Sequence, residues 1–238
     1  MKIIETNLDE VKTIAKIFVF LDVKETEMSP MFVIHPVFES GYISIKNDNG
    51  EMEIVNVLES EDNLDRARKQ IVETIDRFQK VSSIVNIIRK SYRLTFLSYC
   101  KPYLSKEDFS KLLADVWVAS ESPNDDVNVS IAKAVQYFKY ADKKVLMDEN
   151  EYAAYKEFPD TLTVYRGVGV SRNPEGISWT IDKDKAIWFA HRFDIKGKSG
   201  YLLEAEIKKE DILAYFKSRG EEEIVVKPRK ETIKKIEL

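Results

Sequence analysis

Three short segments in the last third of the chain carry side chains suited to acting together on one substrate. They are Tyr165-Arg166-Gly167, Ser178-Trp179-Thr180 and Glu221-Glu222-Glu223. An arginine binds phosphate through a planar pair of N–H donors, and carboxylates stabilise developing positive charge or accept a proton. The set therefore suggests a site that binds a phosphate group beside a developing cation.

The glutamate segment leads directly into Ile-Val-Val, so residues 221–226 are predicted to form a strand. Side chains two positions apart on a strand share a face. We therefore expect Glu221 and Glu223 to lie in one cleft and Glu222 to lie on the other side. The alternative interpretation is a charged strand end on a solvated sheet edge.

The arginine and the hydroxyl groups also lie in apolar, strand-like runs. Gly167 and Gly169 follow Arg166 and would let a ligand approach the backbone. Ser178 and Thr180 share a strand face, where a hydroxyl group can orient a carboxylate. The alternatives are an arginine in a structural ion pair and a plain strand with a buried tryptophan.

The distribution of glycine indicates which elements position these segments. No glycine occurs between Gly50 and Gly167, and six occur from Gly167 to Gly220. This predicts a helical middle and an end built from strands and tight loops, hence an α+β protein. Strands are predicted at residues 162–165, 177–180, 201–207 and 221–226.

The first 58 residues predict a helix followed by antiparallel strands. Asn7 precedes apolar residues at helical spacing up to Leu21, and the turn sequence at residues 47–50 separates the last two strands. Residues 59–158 read as helices, with one bent helix or two at 62–99. We therefore divide the chain into an N-terminal α/β extension, 1–58, and a domain at 59–238. Packing, partner or substrate recognition, and a dimer contact are the roles open to the extension.

Composition narrows the class of protein. A net charge of −4 and 44% apolar residues are ordinary for a soluble globular chain and demand no nucleic-acid partner. One cysteine excludes an internal disulfide, and two histidines are too few for most zinc sites, so no metal is expected. Residues 1–5 do not begin an apolar segment suited to a signal peptide or membrane span, so a cytoplasmic location without a membrane partner is expected.

Together, the three segments resemble the Arg-Ser-Glu class of mono-ADP-ribosyltransferases. An arginine at a strand end, a Ser-x-Thr strand followed by a helix, and a Glu-x-Glu segment opening an apolar strand occur in that order over residues 162–228. The resemblance is best at 221–228. It implies split antiparallel β-sheets that hold NAD in a cleft, with a helical lead-in and no Rossmann glycine motif.

The resemblance also implies a role for each site residue. Glu223 would hydrogen-bond the nicotinamide ribose and stabilise the oxocarbenium formed as nicotinamide leaves. Glu221 would position or deprotonate the acceptor. Arg166 would hold NAD near its phosphates, and Ser178 would orient Glu223 and shape the nicotinamide pocket with support from Thr180.

Two positions depart from the family pattern. The middle triplet is Ser-Trp-Thr rather than Ser-Thr-Ser, and Ser218 stands where the pattern has an aromatic residue. Tyr215 and Phe216 are nearby substitutes. These departures bear on the identity of the acceptor more than on the binding of NAD.

The expected activity is transfer of ADP-ribose from NAD to a macromolecule. A protein arginine is the first choice of acceptor because both glutamates of the Glu-x-Glu pair are present. Two alternatives stay open, namely transfer to DNA or RNA, and a non-catalytic NAD- or protein-binding module with the same fold. In a phage or toxin setting, an antitoxin or a host protein would be a further partner.

Overall fold

The computed structural model describes residues 5–27, 29–170, 172–192, 194–196, 198–217 and 220–238. They form a mixed α/β structure with antiparallel sheets, as the α+β prediction requires. The chain divides by compactness into two units, Met1–Asp108 and Phe109–Leu238. In the part of the chain that the structure describes, none of the helices combines the length and hydropathy that a membrane crossing needs.

The helices and strands of the first unit are α1 (Leu8–Val19), β1 (Lys24–Thr26), β2 (Ser29–Ile34), β3 (Tyr42–Lys46), β4 (Met52–Asn56), α2 (Glu61–Arg77), α3 (Val81–Ile87) and α4 (Arg93–Cys100). Helix α5 (Lys106–Ala119) extends from the first unit into the second. The remaining elements are α6 (Ile131–Tyr140), α7 (Lys143–Leu146), α8 (Glu149–Glu157), β5 (Thr161–Val168), β6 (Ser178–Thr180), α9 (Lys183–His191), β7 (Tyr201–Lys208), β8 (Ala214–Phe216), β9 (Glu223–Val225) and β10 (Ile233–Glu237).

The first unit is organised around short antiparallel strands and the helices that follow them. Asn7, which precedes the predicted first helix, caps α1, because its side chain accepts a hydrogen bond from the Glu10 amide. The helical stretch predicted at 62–99 divides into three helices, since Phe78 and Ile88 are extended. The compact division falls after Asp108, whereas the sequence pattern places its boundary after residue 58, because α2 packs on the strands that precede it.

The second unit contains one six-stranded antiparallel sheet in the order β10-β7-β5-β6-β9-β8. The predicted strands correspond to β5, β6, β7 and β9, whereas β8 and β10 are additional. All three residues of β8 are buried and show no alternation, and β10 is a charged edge strand, so neither has a clear strand pattern. The resemblance implies split sheets, whereas these six strands are paired without interruption. The weakest pairing is that of β5 with β6, at a single position.

Helix α9 lies directly on the backbone of the sheet. A methyl group added at Gly167 would meet the Ala186 carbonyl oxygen and would lie 2.6 Å from the Ala190 amide nitrogen. At Gly200 it would meet the Ala190 carbonyl oxygen. Ala186 and Ala190 are themselves fully buried. Small residues in both the helix and the sheet therefore allow α9 to approach β5. This close packing fixes one side of the region between β5 and β6.

Replacing Gly167 with alanine is expected to destabilise the protein by about 1–3 kcal/mol, because the helix must move away from β5 to admit the methyl group. The free energy of unfolding in denaturant measures this loss. Gly169→Ala is the matched control, since its nearest non-local atoms would lie at 3.5 Å, an ordinary contact. Equal stability of the two variants would contradict the close packing of α9.

Candidate active site

All six candidate residues lie on the wall of one cleft of about 480 Å³ in the second unit. They are Arg166, Gly167, Ser178, Thr180, Glu221 and Glu223. Helix α5 and the segment that follows it add Trp117, Asn124 and Asp125 to the wall. The structure thus brings together three segments that are separated by up to 57 positions between Arg166 and Glu223.

The cleft opens where β5 and β6 stop pairing. These strands are paired at a single position, Tyr165 opposite Thr180, whereas β5 pairs with β7 along its whole length. Beyond Tyr165, Nη1 of Arg166 donates to the Ser178 carbonyl oxygen at 2.8 Å, and Nη2 donates to the Asn173 carbonyl oxygen at 3.3 Å. The guanidinium group therefore spans the gap between the two strands.

The Arg166 side chain retains one unused donor. Its Nε is buried and has no hydrogen-bond partner among the described residues. Burial lowers the pKa of Arg166, while the negative charges of Asp125 and Glu223 act in the opposite direction. An unpaired buried N–H is costly, so Nε is an unsatisfied polar atom beneath the wall of the cleft.

Gly176 makes room for the same guanidinium group. A methyl group at that position would lie 2.5 Å from Cζ of Arg166. The absence of a side chain at residue 176 therefore determines where Arg166 can lie.

Glu223 is the first residue of β9 and is held by two donors. Its Oε1 accepts a hydrogen bond from Nε1 of Trp117 at 2.9 Å, and the Ser178 hydroxyl group also hydrogen-bonds its carboxylate. Burial raises the pKa of Glu223, and the nearby Glu221 carboxylate adds to this effect. The two hydrogen bonds and the positive charge of Arg166 oppose it. The carboxylate is thus fixed in a partly desolvated position beside a cation.

Ser178 is itself positioned by Asn124. The side-chain Nδ2 of Asn124 donates to the Ser178 hydroxyl oxygen at 3.0 Å, and the Oδ1 of Asn124 accepts from the Ile177 backbone amide at 2.8 Å. Because the Asn124 side chain donates to the hydroxyl oxygen of Ser178, the hydroxyl proton is available to donate to the Glu223 carboxylate. A chain of hydrogen bonds therefore runs from Asn124 through Ser178 to the carboxylate.

Glu221 reaches the cleft by a turn rather than by strand alternation. Strand β9 begins at Glu223, and Glu222 has a left-handed backbone with φ of 48°. The prediction that residues 221–226 form one strand is therefore wrong for its first two residues. The Thr180 hydroxyl group donates to the Glu221 carbonyl oxygen at 3.0 Å and accepts from the Asp182 amide at 3.1 Å. Thr180 thus stabilises the turn that presents Glu221.

The sequence pattern did not identify Trp117, Asn124 or Gly176 as site residues. Trp117 belongs to the apolar stripe of α5, and its side chain is 1% exposed, so only the indole N–H distinguishes it from an ordinary core residue. Asn124 lies in a short turn after a proline, where asparagine is common for local reasons. No spacing relates Trp117 or Asn124 to Glu223, because they come from a different part of the chain, whereas Gly176 lies two positions before Ser178 in a loop.

The aromatic residue missing at position 218 is not supplied by the two predicted substitutes. Tyr215 and Phe216 are buried in β8, and burial together with the Glu222 and Glu151 carboxylates raises the pKa of Tyr215 to about 12. Ser218 lies outside the described residues. An exposed aromatic side chain at the cleft comes instead from Trp188 of α9, with the Arg192 guanidinium 5.3 Å from its ring centroid.

The chain has three tryptophans, and all of them border this cleft. Trp117 reaches the wall from α5, and Trp188 reaches it from α9. Trp179 is 3% exposed and packs into the core of the sheet with Val164 and Ile224. Among the described residues, no group of three or more His, Cys, Asp or Glu side chains is placed to hold a metal ion.

The raised pKa of Glu223 makes the stability of the protein depend on pH. A carboxyl group whose pKa is higher in the native than in the unfolded state contributes stability below the unfolded pKa. This contribution is lost as pH rises through the native pKa. We therefore expect Glu223→Gln to gain stability relative to the wild type as pH rises from acid to neutral.

Denaturant unfolding of both proteins across that pH range measures the effect. Glu210→Gln, at a carboxylate that is 75% exposed, serves as the control. A difference between wild type and Glu223→Gln that does not change with pH would contradict the prediction.

Comparisons of the chain with protein-family models, with curated proteins and with solved structures find no match.

Proposed function

We propose that this protein is a mono-ADP-ribosyltransferase that transfers ADP-ribose from NAD to a macromolecule, in the first place to an arginine of a protein. The observation that supports this most is the meeting of Arg166, Ser178 and Glu223, from three strands, at one cleft. The cleft volume of about 480 Å³ lies in the range of roughly 300–1,000 Å³ typical of small-molecule sites. The fold is proposed to be a variant of the split-sheet ADP-ribosyltransferase architecture.

The residues present fit NAD as a substrate. Arg166 lies on the cleft wall and contributes positive charge, and the pyrophosphate of NAD carries strong acceptor oxygens. Arg172 and Arg192 also lie on the cleft wall and add positive charge. Glu221 and Glu223 also lie on the wall, where their negative charge would stabilise a ribose that develops positive charge.

The reaction breaks the bond between the nicotinamide nitrogen and the ribose carbon, and nicotinamide leaves with the electron pair. Glu223 stabilises the positive charge that remains on the ribose. Trp117 and Ser178 hold this carboxylate in place and favour its ionised form against the effect of burial. The acceptor nitrogen then forms the new bond to the ribose carbon, and its proton passes to Glu221.

A nucleobase is the second candidate acceptor, favoured by the exposed Trp188. Its indole is 57% exposed at the cleft, and the Arg192 guanidinium lies over it. Aromatic rings and guanidinium planes are the groups on which single-stranded bases stack. This observation bears on the acceptor and leaves the proposed NAD chemistry unchanged.

Incubating the purified protein with a cell lysate and NAD labelled in its adenylate part tests the proposal. Transfer to a protein predicts label that protease removes and nuclease does not, and transfer to nucleic acid predicts the reverse. Arg166→Lys keeps the charge but loses the two donors that bind the Ser178 and Asn173 carbonyl oxygens, so the wall of the cleft should shift and NAD binding by calorimetry and labelling should both weaken. NAD binding without any labelling would support the non-catalytic alternative, and unchanged NAD affinity in Arg166→Lys would remove the role of this arginine.

A further inference from the structure

The N-terminal strands form a surface that is covered on one side and exposed on the other. On the inner side, Val33, Ile45 and Val55 pack with Ala67 of helix α2, and all four are buried. Strand β1 pairs with β2, and β3 pairs with β4.

Gly41 joins the two strand pairs into one continuous surface. Its amide donates to the Met31 carbonyl oxygen at 3.1 Å, and its carbonyl oxygen accepts from the Val57 amide at 2.8 Å. Next to it, Phe32 pairs with Ser40. Gly41 hydrogen-bonds to both strand pairs and so continues the ladder between Ser40 and Tyr42. Phe32 and Tyr42 are both exposed next to it, and we place them on the same side.

The same register extends this side across β3 and β4. Tyr42 is opposite Asn56, two positions beyond Ile54, and Lys46 is opposite Met52. Five large apolar side chains on this side are exposed: Phe32 at 55%, Ile34 at 51%, Tyr42 at 49%, Met52 at 61% and Ile54 at 75%. We call these five residues the outer face.

The outer face is large enough to be a binding surface. Its five side chains expose roughly 600 Å² of mainly apolar area, which is the upper end of what a typical monomer leaves uncovered. Two such faces packed together would bury roughly 1,200 Å², the lower limit for specific and stable interfaces. The area therefore fits a dimer of moderate affinity.

The charges at the edge of the outer face indicate the kind of partner. Lys24 is opposite Ile34 and Lys46 is opposite Met52, while Glu39 and Glu51 adjoin the face in the chain. All four are exposed, and their charges balance. A nucleic acid or a strongly acidic or basic protein would require an excess of one sign, whereas a balanced edge is compatible with a copy of itself.

We propose that the outer face binds the outer face of a second copy of this chain, giving a twofold symmetric dimer. The two strand surfaces pack face to face, with apolar side chains interdigitating between them. Strand surfaces packed in this way are about 10 Å apart, so side chains of this size fill the space. The proposal does not depend on the proposed function, because the cleft residues belong to the second unit.

Sedimentation velocity of the full chain over a wide concentration range tests the dimer. The mass is expected to rise from 27.6 kDa at low concentration toward twice that value at high micromolar concentration. Ile54→Lys and Phe32→Lys should each weaken dimerisation roughly tenfold or more, because a charge is placed in the centre of the interface. Both side chains are exposed in the single chain, so thermal unfolding should show that the variants still fold.

Val127→Lys is the matched control, since Val127 is 93% exposed and lies outside the outer face. It should dimerise like the wild type. A mass of 27.6 kDa at every concentration would overturn the proposal. So would an association constant for Ile54→Lys and Phe32→Lys equal to that of Val127→Lys.

Discussion

Glu223→Gln is expected to fold normally and to lose NAD turnover by roughly a hundredfold to a thousandfold, equivalent to about 3–4 kcal/mol. Glutamine keeps an oxygen that can accept the 2.9 Å hydrogen bond from Trp117, so the geometry of the cleft is retained. What it removes is the negative charge beside the ribose as nicotinamide leaves. Release of nicotinamide from NAD measures the rate.

Glu222→Gln is the control for this experiment. Glu222 is the adjacent glutamate, and its carboxylate interacts with Tyr215 in β8. Its turnover should stay close to that of the wild type. If Glu223→Gln retained most of the wild-type rate, the catalytic assignment of Glu223 would be wrong.

Glu221→Ala is expected to separate two activities, abolishing transfer to the acceptor and leaving slow hydrolysis of NAD. A guanidinium acceptor needs a carboxylate to orient it and take its proton, whereas water can attack the charged ribose unaided. Glu221 lies at the cleft near Glu223 but makes no hydrogen bond to it among the described contacts, so bond breaking should continue. Nicotinamide release and labelling of the acceptor are measured in the same sample.

The two readouts distinguish the roles of Glu221. If both fall to the level of Glu223→Gln, Glu221 takes part in breaking the bond to nicotinamide. If neither falls, Glu221 is only a charge before the strand, and arginine is no longer the preferred acceptor. Glu210→Ala, at an exposed carboxylate away from the cleft, controls for the loss of one negative charge.

Sequence reasoning located the site residues that can be recognised from the few residues on either side of them. Arg166 follows the apolar run at 162–165, although β5 continues past it to Val168, and Ser178 lies in the run at 177–180. The six-stranded sheet places both beside Glu223, as their order along the chain suggests. The helix expected after the Ser-x-Thr strand is α9, and its first turn is capped by Asp182, whose side chain accepts a hydrogen bond from the Lys185 amide. These features depend on neighbours a few positions away.

The features that the sequence did not reveal depend on contacts between distant segments. The indole of Trp117 meets Glu223 across 106 positions, and the Asn124 side chain meets Ser178 across 54 positions. Neither partner has a local pattern that differs from that of a core or turn residue. The turn before Glu223 was missed for another reason, since a left-handed glutamate at residue 222 interrupts a run that alternation treats as strand.

The placement of the three tryptophans gives the protein a built-in optical reporter. Trp117, Trp179 and Trp188 all border the cleft, so its intrinsic indole emission originates at this one site. The buried Trp117 and Trp179 and the exposed Trp188 differ in solvent contact, which separates their emission wavelengths. Occupancy of the cleft can thus be followed by the fluorescence of the unlabelled chain, and replacing Trp188 with phenylalanine isolates the signal from the interior.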